Sequence, residues 1–325
     1  MEFKYIVEEK YNNLKINEIL KSRFDFSKLM LKRIRLYGEL LLNSKSARMI
    51  DTAKTHDKII VRTPNYDPET SFFRVNRLKD VPIIFEDDHI VVLNKPANLV
   101  VHPTYTHPDG TLLDLLSSNK LHAATRLDRE TSGIMVLAKH SHAHYRLMKF
   151  PMERIYIAIN HGIWQQKSGE ISAPIKRAEN SIMIRVVDNG GKTAVTNYRV
   201  LFENFKENFS LTEFKLITGR THQIRVHSLF MGKPILADGL YGIADYFPNL
   251  SSGKNVPCIQ KDICRVSLKV RLQFLELLND LQLELDTKLD RQALHSKKLG
   301  FIHPITEQHM EFETPIPEDF KKILG

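Results

Sequence analysis

The sequence predicts an α+β protein in which a small N-terminal α/β domain precedes a larger domain with many strands. Residues 1–62 contain two helical patterns followed by short strand patterns. Residues 63–80 are polar and have no convincing periodicity, which is typical of a linker. From residue 81 onward, strand-like apolar segments alternate with turns and a few helical patterns. We therefore predict two domains, 1–62 and 81–325, joined by the linker at 63–80.

The composition is that of an ordinary globular protein with a basic balance. The chain has 325 residues, of which 42% are hydrophobic and 26% are charged, and its formal net charge is +9. No apolar run approaches the roughly 18 residues that a membrane span needs, and the first residues contain no signal-peptide core. We therefore expect a cytoplasmic protein. Cys258 and Cys264, separated by five residues, form neither a disulfide framework nor a usual zinc spacing, so no metal or cofactor is predicted.

Two short helices are predicted in the N-terminal domain. The first extends from Leu14 to Arg23, and the second follows the cap Asp25-Phe26-Ser27 and continues to about Tyr37, where Gly38 ends it. On the second helix, Met30, Ile34 and Tyr37 are spaced to face the core.

The positive charge is concentrated in this domain, because residues 1–62 hold 14 Lys/Arg against 8 Asp/Glu, a net charge of +6. With its two helices, its glycine stop, a turn at Asn43 and a returning strand, the segment 12–62 resembles the small RNA-binding domain of ribosomal protein S-four. The resemblance implies a basic helix face that contacts RNA phosphates without reading bases. That face would consist of Lys28, Lys32, Arg33 and Arg35. A merely solvated charged face is the alternative.

One block of sequence, residues 121–140, organises the larger domain. At its centre a charged turn, Arg126 to Gly133, leads directly into an apolar strand, Ile134–Ala138. Polar groups at the end of a rigid strand are frequent parts of functional sites. Arginines flank Asp128 in sequence, and a nearby cation favours the charged form of a carboxylate. Because an ionised, partly desolvated carboxylate is a usable nucleophile, we predict that Asp128 is the catalytic residue.

A second concentration of charge lies in the string Thr218-Gly219-Arg220-Thr221-His222-Gln223-Ile224-Arg225-Val226-His227. Gly219 interrupts a strand and Thr221 is a predicted N-cap. A helix should continue to about Met231, with Val226, Leu229 and Phe230 on its buried side. Arginines and histidines at such a junction bind phosphate or pair with a carboxylate, and the pattern leaves both open.

Several strings together resemble the RluA-type pseudouridine synthases, which isomerise uridine to pseudouridine within RNA. They are Asn94-Lys95-Pro96, Arg126-Leu127-Asp128-x-x-Thr131-Ser132-Gly133, Arg154-x-Tyr156-x-Ala158 and Thr218 to His227. The resemblance implies that Asp128 is the nucleophile and that Arg225 pairs with it. It also implies that Tyr156 stacks on the displaced base or moves a proton. Arg126 would help to displace that base, and Arg220 and His222 would bind RNA.

The resemblance also implies the architecture, a large and mainly antiparallel sheet crossed by a central cleft in which the motifs converge. Three departures are visible. Thr125 stands where the family usually has His, Ala237 precedes Asp238 where Gly is common, and residues 243–290 form a longer insertion with a predicted helix around Phe274 to Leu281. Family members with this type of N-terminal domain often modify large-subunit ribosomal RNA, so ribosomal RNA is the expected partner and transfer RNA the alternative.

Two further local predictions can be compared with the structure. Ser141 should cap a helix to about Phe150, with the nearby histidines exposed and not bound to a metal. Strands around 182–187 and 193–200 should form a hairpin through Asn189-Gly190-Gly191.

Two other function classes compete with an isomerase. A glycosylase that releases uracil needs a second carboxylate as acid or base, and Glu130, the close candidate, should point elsewhere. A non-enzymatic RNA-binding or ribosome-assembly factor has no need of Asp128, Tyr156 and Arg225 together. The sequence leaves open which RNA is modified and whether Asp128 attacks the sugar or the base.

Overall fold

The computed structural model describes residues 2–63, 74–104, 107–117, 121–179, 181–242 and 280–325. The chain divides into two compact units, Met1–Val75 and Asn76–Gly325. The predicted domain boundaries stay predictions, because most of the linker lies outside the described residues. Both cysteines and most of the predicted insertion helix also lie outside the described residues. In the described part of the chain, no helix is long and apolar enough to cross a membrane.

The first unit contains a four-stranded antiparallel sheet in the order β1-β6-β3-β4, a separate two-stranded pair β2-β5, and two helices. Its elements are β1 Glu2–Ile6, a 3-10 turn Glu9–Tyr11, β2 Leu14–Lys15, α1 Ile16–Phe24, α2 Lys28–Tyr37, β3 Glu39–Leu42, β4 Lys45–Ser46, β5 Thr52–Ala53 and β6 Lys58–Arg62.

The helix α2 begins and ends where the sequence predicts. Ser27 caps it, since its Oγ accepts a hydrogen bond from the backbone N–H of Met30 at 3.1 Å. Ile34 is buried, but the prediction for Tyr37 is wrong, because its side chain is 72% exposed. Tyr37 closes the last turn, and at Gly38 the backbone turns away into β3. A Cβ on Gly38 would lie 2.6 Å from the carbonyl oxygen of Arg62, so close approach requires glycine there.

The second unit is built on a ten-stranded sheet, with the central path β12-β15-β16-β11-β17-β10-β8-β7 and with β18 and β9 added to β17 and β10. Its elements are β7 Ile83–Glu86, β8 Ile90–Lys95, α3 Leu112–Leu116, β9 His122–Ala123, β10 Ser132–Ala138, α4 Ser141–Lys149, β11 Glu153–His161, β12 Ser168–Ser172, β13 Ile175–Arg177, β14 Arg185–Val187, β15 Val195–Asn204, β16 Phe209–Leu216, α5 Gln223–Phe230, α6 Asp280–Thr287, β17 Leu294–Ile302, β18 His309–Glu313 and α7 Glu318–Leu324.

The predicted large, mainly antiparallel sheet is confirmed. Within the described ladders its single parallel contact joins β10 to β17 through Ser132–His295 and Gly133–Ser296. Gly133 has φ +114°, and a Cβ there would lie 2.2 Å from the Ser296 carbonyl oxygen. Only glycine therefore permits the two strands to approach at this point.

The helix α4 covers one face of the sheet. Its residues Ala143 and Leu147 pack into a buried cluster contributed by β8, β10 and β17. The predicted cap at Ser141 is wrong by one residue, because Nδ1 of His140 accepts the N–H of Ala143 at 3.0 Å. The expectation of exposed histidines is also wrong, since His142 is buried and His140 is partly buried.

The predicted hairpin around Asn189–Gly191 is wrong. The strand β14 pairs with β13 in a separate two-stranded sheet, and β15 pairs with β12 and β16 in the large sheet. The chain between them turns tightly instead, since the N–H of Gly191 donates to the carbonyl of Asp188 at 2.8 Å. Gly191 also lies so close to Ile175 that a Cβ would be 2.6 Å from its carbonyl carbon.

Candidate active site

Asp128 lies in the turn that leads into β10, and its carboxylate is only partly exposed. Nη1 of Arg225 donates to its Oδ2 at 2.8 Å, and Nε2 of His222 lies 3.8 Å from its Oδ1. The expectation that neighbouring arginines hold this carboxylate is wrong. Arg126 is exposed, and Arg129 instead pairs with Glu130 at 3.1 Å. The cation that hydrogen-bonds to Asp128 instead comes from 97 residues further along the chain.

The environment keeps Asp128 ionised. Burial raises the pKa of this carboxyl, but His222 and Arg225 outweigh burial and leave the pKa below its usual 3.8. Burial also lowers the pKa of His222 below 6.5, so its ring is neutral at pH 7. Arg225 is therefore the cation that matters for Asp128 under neutral conditions.

A second carboxylate, Asp238, fixes Arg225 from the opposite side. Nε and Nη2 of Arg225 donate to the two oxygens of Asp238, each at 2.7 Å, and the Asp238 side chain is fully buried. Burial lowers the pKa of Arg225, but the bonds to Asp238 outweigh it and raise that pKa. Such a bidentate pair sets the direction of the guanidinium plane, so Asp238 orients the group that contacts Asp128. Asp238 was not among the residues predicted from the sequence, although the departure at Ala237 lies next to it.

The contact between His222 and Tyr241 determines which ring nitrogen of His222 carries the proton. The hydroxyl of Tyr241 accepts the N–H of Arg185 at 2.8 Å and lies 2.9 Å from Nδ1 of His222. Burial raises the pKa of Tyr241, so it stays a phenol and donates to Nδ1. The proton on the neutral ring is therefore on Nε2, which faces Asp128. His222 itself begins α5 with φ +57°, so the predicted cap at Thr221 is wrong by one residue.

Tyr156 lies on β11 and is buried in the same site. Burial raises its pKa above 10.0, against an opposing effect of Arg154, so the phenol is neutral at pH 7. A flat, neutral ring with one polar end can stack on a base and still exchange a proton.

Asp128, Tyr156 and Arg225 line a single cavity of about 570 Å³. Among the described residues that line it, Asp128 is the one carboxylate, whereas five arginines and three histidines contribute. They are Arg126, Arg154, Arg185, Arg220, Arg225, His102, His144 and His222. The five arginines give the cavity an excess of positive charge, which fits a polyanionic ligand.

Comparisons with known proteins identify the family of this chain. Residues 89–229 match a family model described as RNA pseudouridylate synthase. An uncharacterized RNA pseudouridine synthase, YhcT of Bacillus subtilis (strain 168), is 30% identical over 98% of this chain and 95% of its own length. The ribosomal large subunit pseudouridine synthase D of Pseudomonas aeruginosa is 37% identical over 76% of this chain and 71% of its own length. The chain belongs to the RluA-type family of pseudouridine synthases.

A solved structure agrees with the fold of the synthase. Human RNA pseudouridylate synthase domain containing 4 superposes with a TM-score of 0.51 at 26% identity, covering 75% of this chain and 91% of that one. The predicted α+β pseudouridine synthase fold is thus confirmed, as is the prediction of an isomerase that converts uridine to pseudouridine in RNA.

The other predicted residues of the synthase have distinct surroundings. Arg220 is exposed, and its Nε donates to the carbonyl of Thr193 at 2.9 Å. Arg154 and Arg185, which were not predicted from the sequence, also line the cavity. Nε of Arg154 is buried without a hydrogen-bond partner, and its Nη1 lies against Gly219, where a Cβ would be 2.4 Å away. The spacing Arg154-x-Tyr156 was the available signal, because alternate residues of a strand share a face.

Lys95 supports the turn that carries Asp128. Its fully buried Nζ donates to the carbonyls of Pro96, Leu99 and Arg129 at 2.7–2.9 Å. Burial lowers its pKa to about 7, and the charge of Asp128 opposes that change. Three acceptors match the three donors of an ammonium group, so Lys95 ties the backbone just after Asp128 to the end of β8.

Thr125, at the position where the family usually has His, has a structural contact. Its Oγ1 accepts the N–H of Val136 at 3.1 Å and so fixes the entry to the turn against β10. His122, nearby in sequence, instead lies beside His144 with ring centres 5.6 Å apart.

Proposed function

We propose that the synthase modifies uridine in large-subunit ribosomal RNA, with Asp128 as the nucleophile. The observation that carries this proposal is the state of Asp128: it is ionised, held by Arg225 at 2.8 Å, and the one carboxylate among the described residues lining a cationic cavity. Relatives named ribosomal large subunit pseudouridine synthase D, including the one from Pseudomonas aeruginosa, support the choice of RNA.

The reaction requires one bond exchange in which nothing is released. The bond from ribose C1′ to uracil N1 breaks, the base turns, and C1′ bonds to C5, while the proton of C5 is lost and N1 gains one. A carboxylate assists by forming a covalent adduct or by stabilising the charge that develops on the sugar. Both roles need the ionised form of Asp128, and the pKa of this carboxyl lies below 3.8.

The positions of the other carboxylates favour isomerisation over hydrolysis. A retaining glycosidase uses a second carboxyl group near the first as acid and base. Glu130 is paired with Arg129, and Asp238 is fully buried with both oxygens on Arg225. Neither therefore presents a free carboxyl group to a water molecule in the cavity.

Extrusion of the target base is the second part of the proposal. A uridine in structured RNA must leave its stack to reach Asp128, which costs a few kcal/mol. Arg126 is exposed and lines the cavity two residues from Asp128. Its long planar group is suited to fill the space that the base leaves, so we assign it the role of stabilising the opened RNA.

RNA binding would use two sets of cations. In the catalytic unit, the cations Arg154, Arg185 and Arg220 line the cavity, beside the neutral donor His222. In the first unit, the S-four-like basic face consists of Lys28, Lys32, Arg33 and Arg35, all exposed on α2. Exposed cations of this kind neutralise phosphates without regard to sequence.

The test is a map of pseudouridine in total RNA from cells with the gene, without it, and with Asp128→Asn restored. We expect a defined ribosomal site to disappear without the gene and to return only with the intact protein. Glu130→Gln serves as the matched control and should restore the site.

Each other outcome changes one part of the proposal. A gene-dependent site in transfer RNA would show that transfer RNA is the substrate. A site restored by Asp128→Asn would show that Asp128 is not the nucleophile. Free uracil from purified enzyme and RNA would indicate a glycosylase. If the pseudouridine map were the same with and without the gene, the remaining explanation would be a non-enzymatic RNA-binding factor.

A further inference from the structure

One carboxylate of the helix α6, that of Asp286, contacts two other parts of the synthase. Oδ1 of Asp286 accepts the backbone N–H of Ala237 at 2.7 Å and lies 2.7 Å from Nε2 of His161. His161 is fully buried, and the Asp286 side chain is only 12% exposed. The neighbouring Leu285 is fully buried as well, so this end of α6 is seated firmly on the unit.

The backbone that receives this bond is strained. Ala237 has φ +53°, the left-handed region, which a residue with a Cβ rarely adopts. Glycine would adopt the same conformation without such a cost, because it has no Cβ. The bond from the Ala237 N–H to Asp286 favours the left-handed conformation by giving its amide a charged acceptor.

The strained residue stands next to the support of the catalytic pair. Asp238 follows Ala237 directly and binds Arg225 through two bonds of 2.7 Å, and Arg225 binds Asp128 at 2.8 Å. A change in the peptide of Ala237 would rotate the Asp238 backbone, and the rigid bidentate pair would carry that rotation to Arg225.

We propose that Asp286 is a positioning residue for the isomerisation: it holds Ala237 in the left-handed conformation, and so keeps Asp238 and Arg225 aligned with Asp128. The inference rests on the proposed role of Asp128. Asp286 belongs to the segment 243–290, to which the sequence alone assigns no function. This chain would thus use an acceptor from that segment to hold a residue with a Cβ in the left-handed conformation.

The test compares single-turnover rates and KM for one RNA substrate. Asp286→Ala should lower the rate about 10- to 100-fold with little change in KM, because a small misplacement of a catalytic group has that effect. Asp286→Asn should remain near wild type, since its Oδ1 can accept both bonds. Glu284→Ala, an exposed change on the same helix, is the matched control.

The decisive variant adds Ala237→Gly to Asp286→Ala. Glycine adopts the left-handed conformation without help, so the double variant should recover most of the lost rate, while Ala237→Gly alone should behave as wild type. A second readout is the acid limb of the rate profile, which should move to higher pH in Asp286→Ala as Arg225 loses its alignment with Asp128, and return in the double variant.

Two results would overturn the inference: an unchanged rate in Asp286→Ala, whether or not its melting temperature falls, or a loss that glycine at 237 does not relieve. Asp128→Asn is measured in parallel. Full activity of that variant would overturn the proposed function itself, which separates the two failures.

Discussion

The two units carry their cations in opposite ways. On α2 of the first unit, four basic side chains are exposed, and none of them has an ion pair within the described residues. In the catalytic unit, Arg225 is buried and bonded to two carboxylates. Exposed cations in water give salt-dependent affinity, but their side chains are not held in one orientation. A buried, paired cation has a single orientation. Under the proposed function, the same residue types would serve attraction in one unit and alignment in the other.

The largest expected effect comes from breaking the buried pair. Asp238→Ala leaves Arg225 with a single carboxylate, so we expect the unfolding free energy to fall by about 3 kcal/mol and turnover to fall about 100-fold through misplacement. Urea denaturation and single-turnover assays measure the two losses.

The control for that change is Glu213→Ala, which removes the partner of the exposed Arg199. A surface pair of this kind contributes about 1 kcal/mol or less. Equal losses in the two variants would mean that the buried pair has no special role.

Removing Arg126 should have the next largest effect. Arg126→Ala should lower turnover about 10- to 100-fold on structured RNA but much less on a loose single strand, because only the structured substrate requires unstacking. Arg129→Ala, an exposed arginine in the same turn that pairs with Glu130, is the control. Equal losses on both substrates would refute the proposed role in base extrusion.

Substitutions on α2 should have smaller effects, and these should appear in RNA binding and not in turnover. Lys28→Gln with Lys32→Gln should raise KM a few-fold and leave kcat unchanged. The slope of log affinity against log salt concentration should become shallower by about 0.7 for each phosphate that the variant no longer neutralises. Lys45→Gln with Lys54→Gln, exposed in the same unit but off this helix, is the control. A fall in kcat at saturating RNA would contradict a role in attraction alone.

The smallest expected effect is that of pH on the wild-type enzyme. The pKa of Asp128 lies below 3.8, so the active carboxylate persists as the pH falls and is lost only on passing through that low pKa. We expect kcat/KM to show no carboxyl titration between about pH 8 and about pH 5. A titration of the Asp128 carboxyl centred near pH 6 would show that burial, and not Arg225, dominates the site.

The sequence predicted the parts of the site that lie within continuous strings. The turn around Asp128 and the strand-to-helix junction before Arg225 were visible because each is local. The partners of these residues were not. Asp238 follows Arg225 by 13 residues in a segment with no periodicity of its own, and the arginine that contacts Asp128 is Arg225 and not one of its neighbours in sequence.

The fold was also predictable where it depends on local sequence patterns and not where it depends on long-range contacts. Periodicity located α2 and the large sheet, but it placed Tyr37 in the core and paired β14 with β15. Both errors concern where the chain goes after an element ends, which depends on long-range contacts and not on the local pattern. Asp286 was invisible for the same reason, since its partner Ala237 is 49 residues away.

The position of β17 has a consequence for the synthesis of the protein. This strand, residues 294–302, lies between β11 and β10 and joins the two halves of the sheet. The halves carry Tyr156 and the Asp128 turn respectively, so they cannot adopt their final spacing until that strand has left the ribosome. Pairings over such long sequence separations form slowly. A nascent synthase should therefore stay inactive until β17 has emerged, however early its separate motifs emerge.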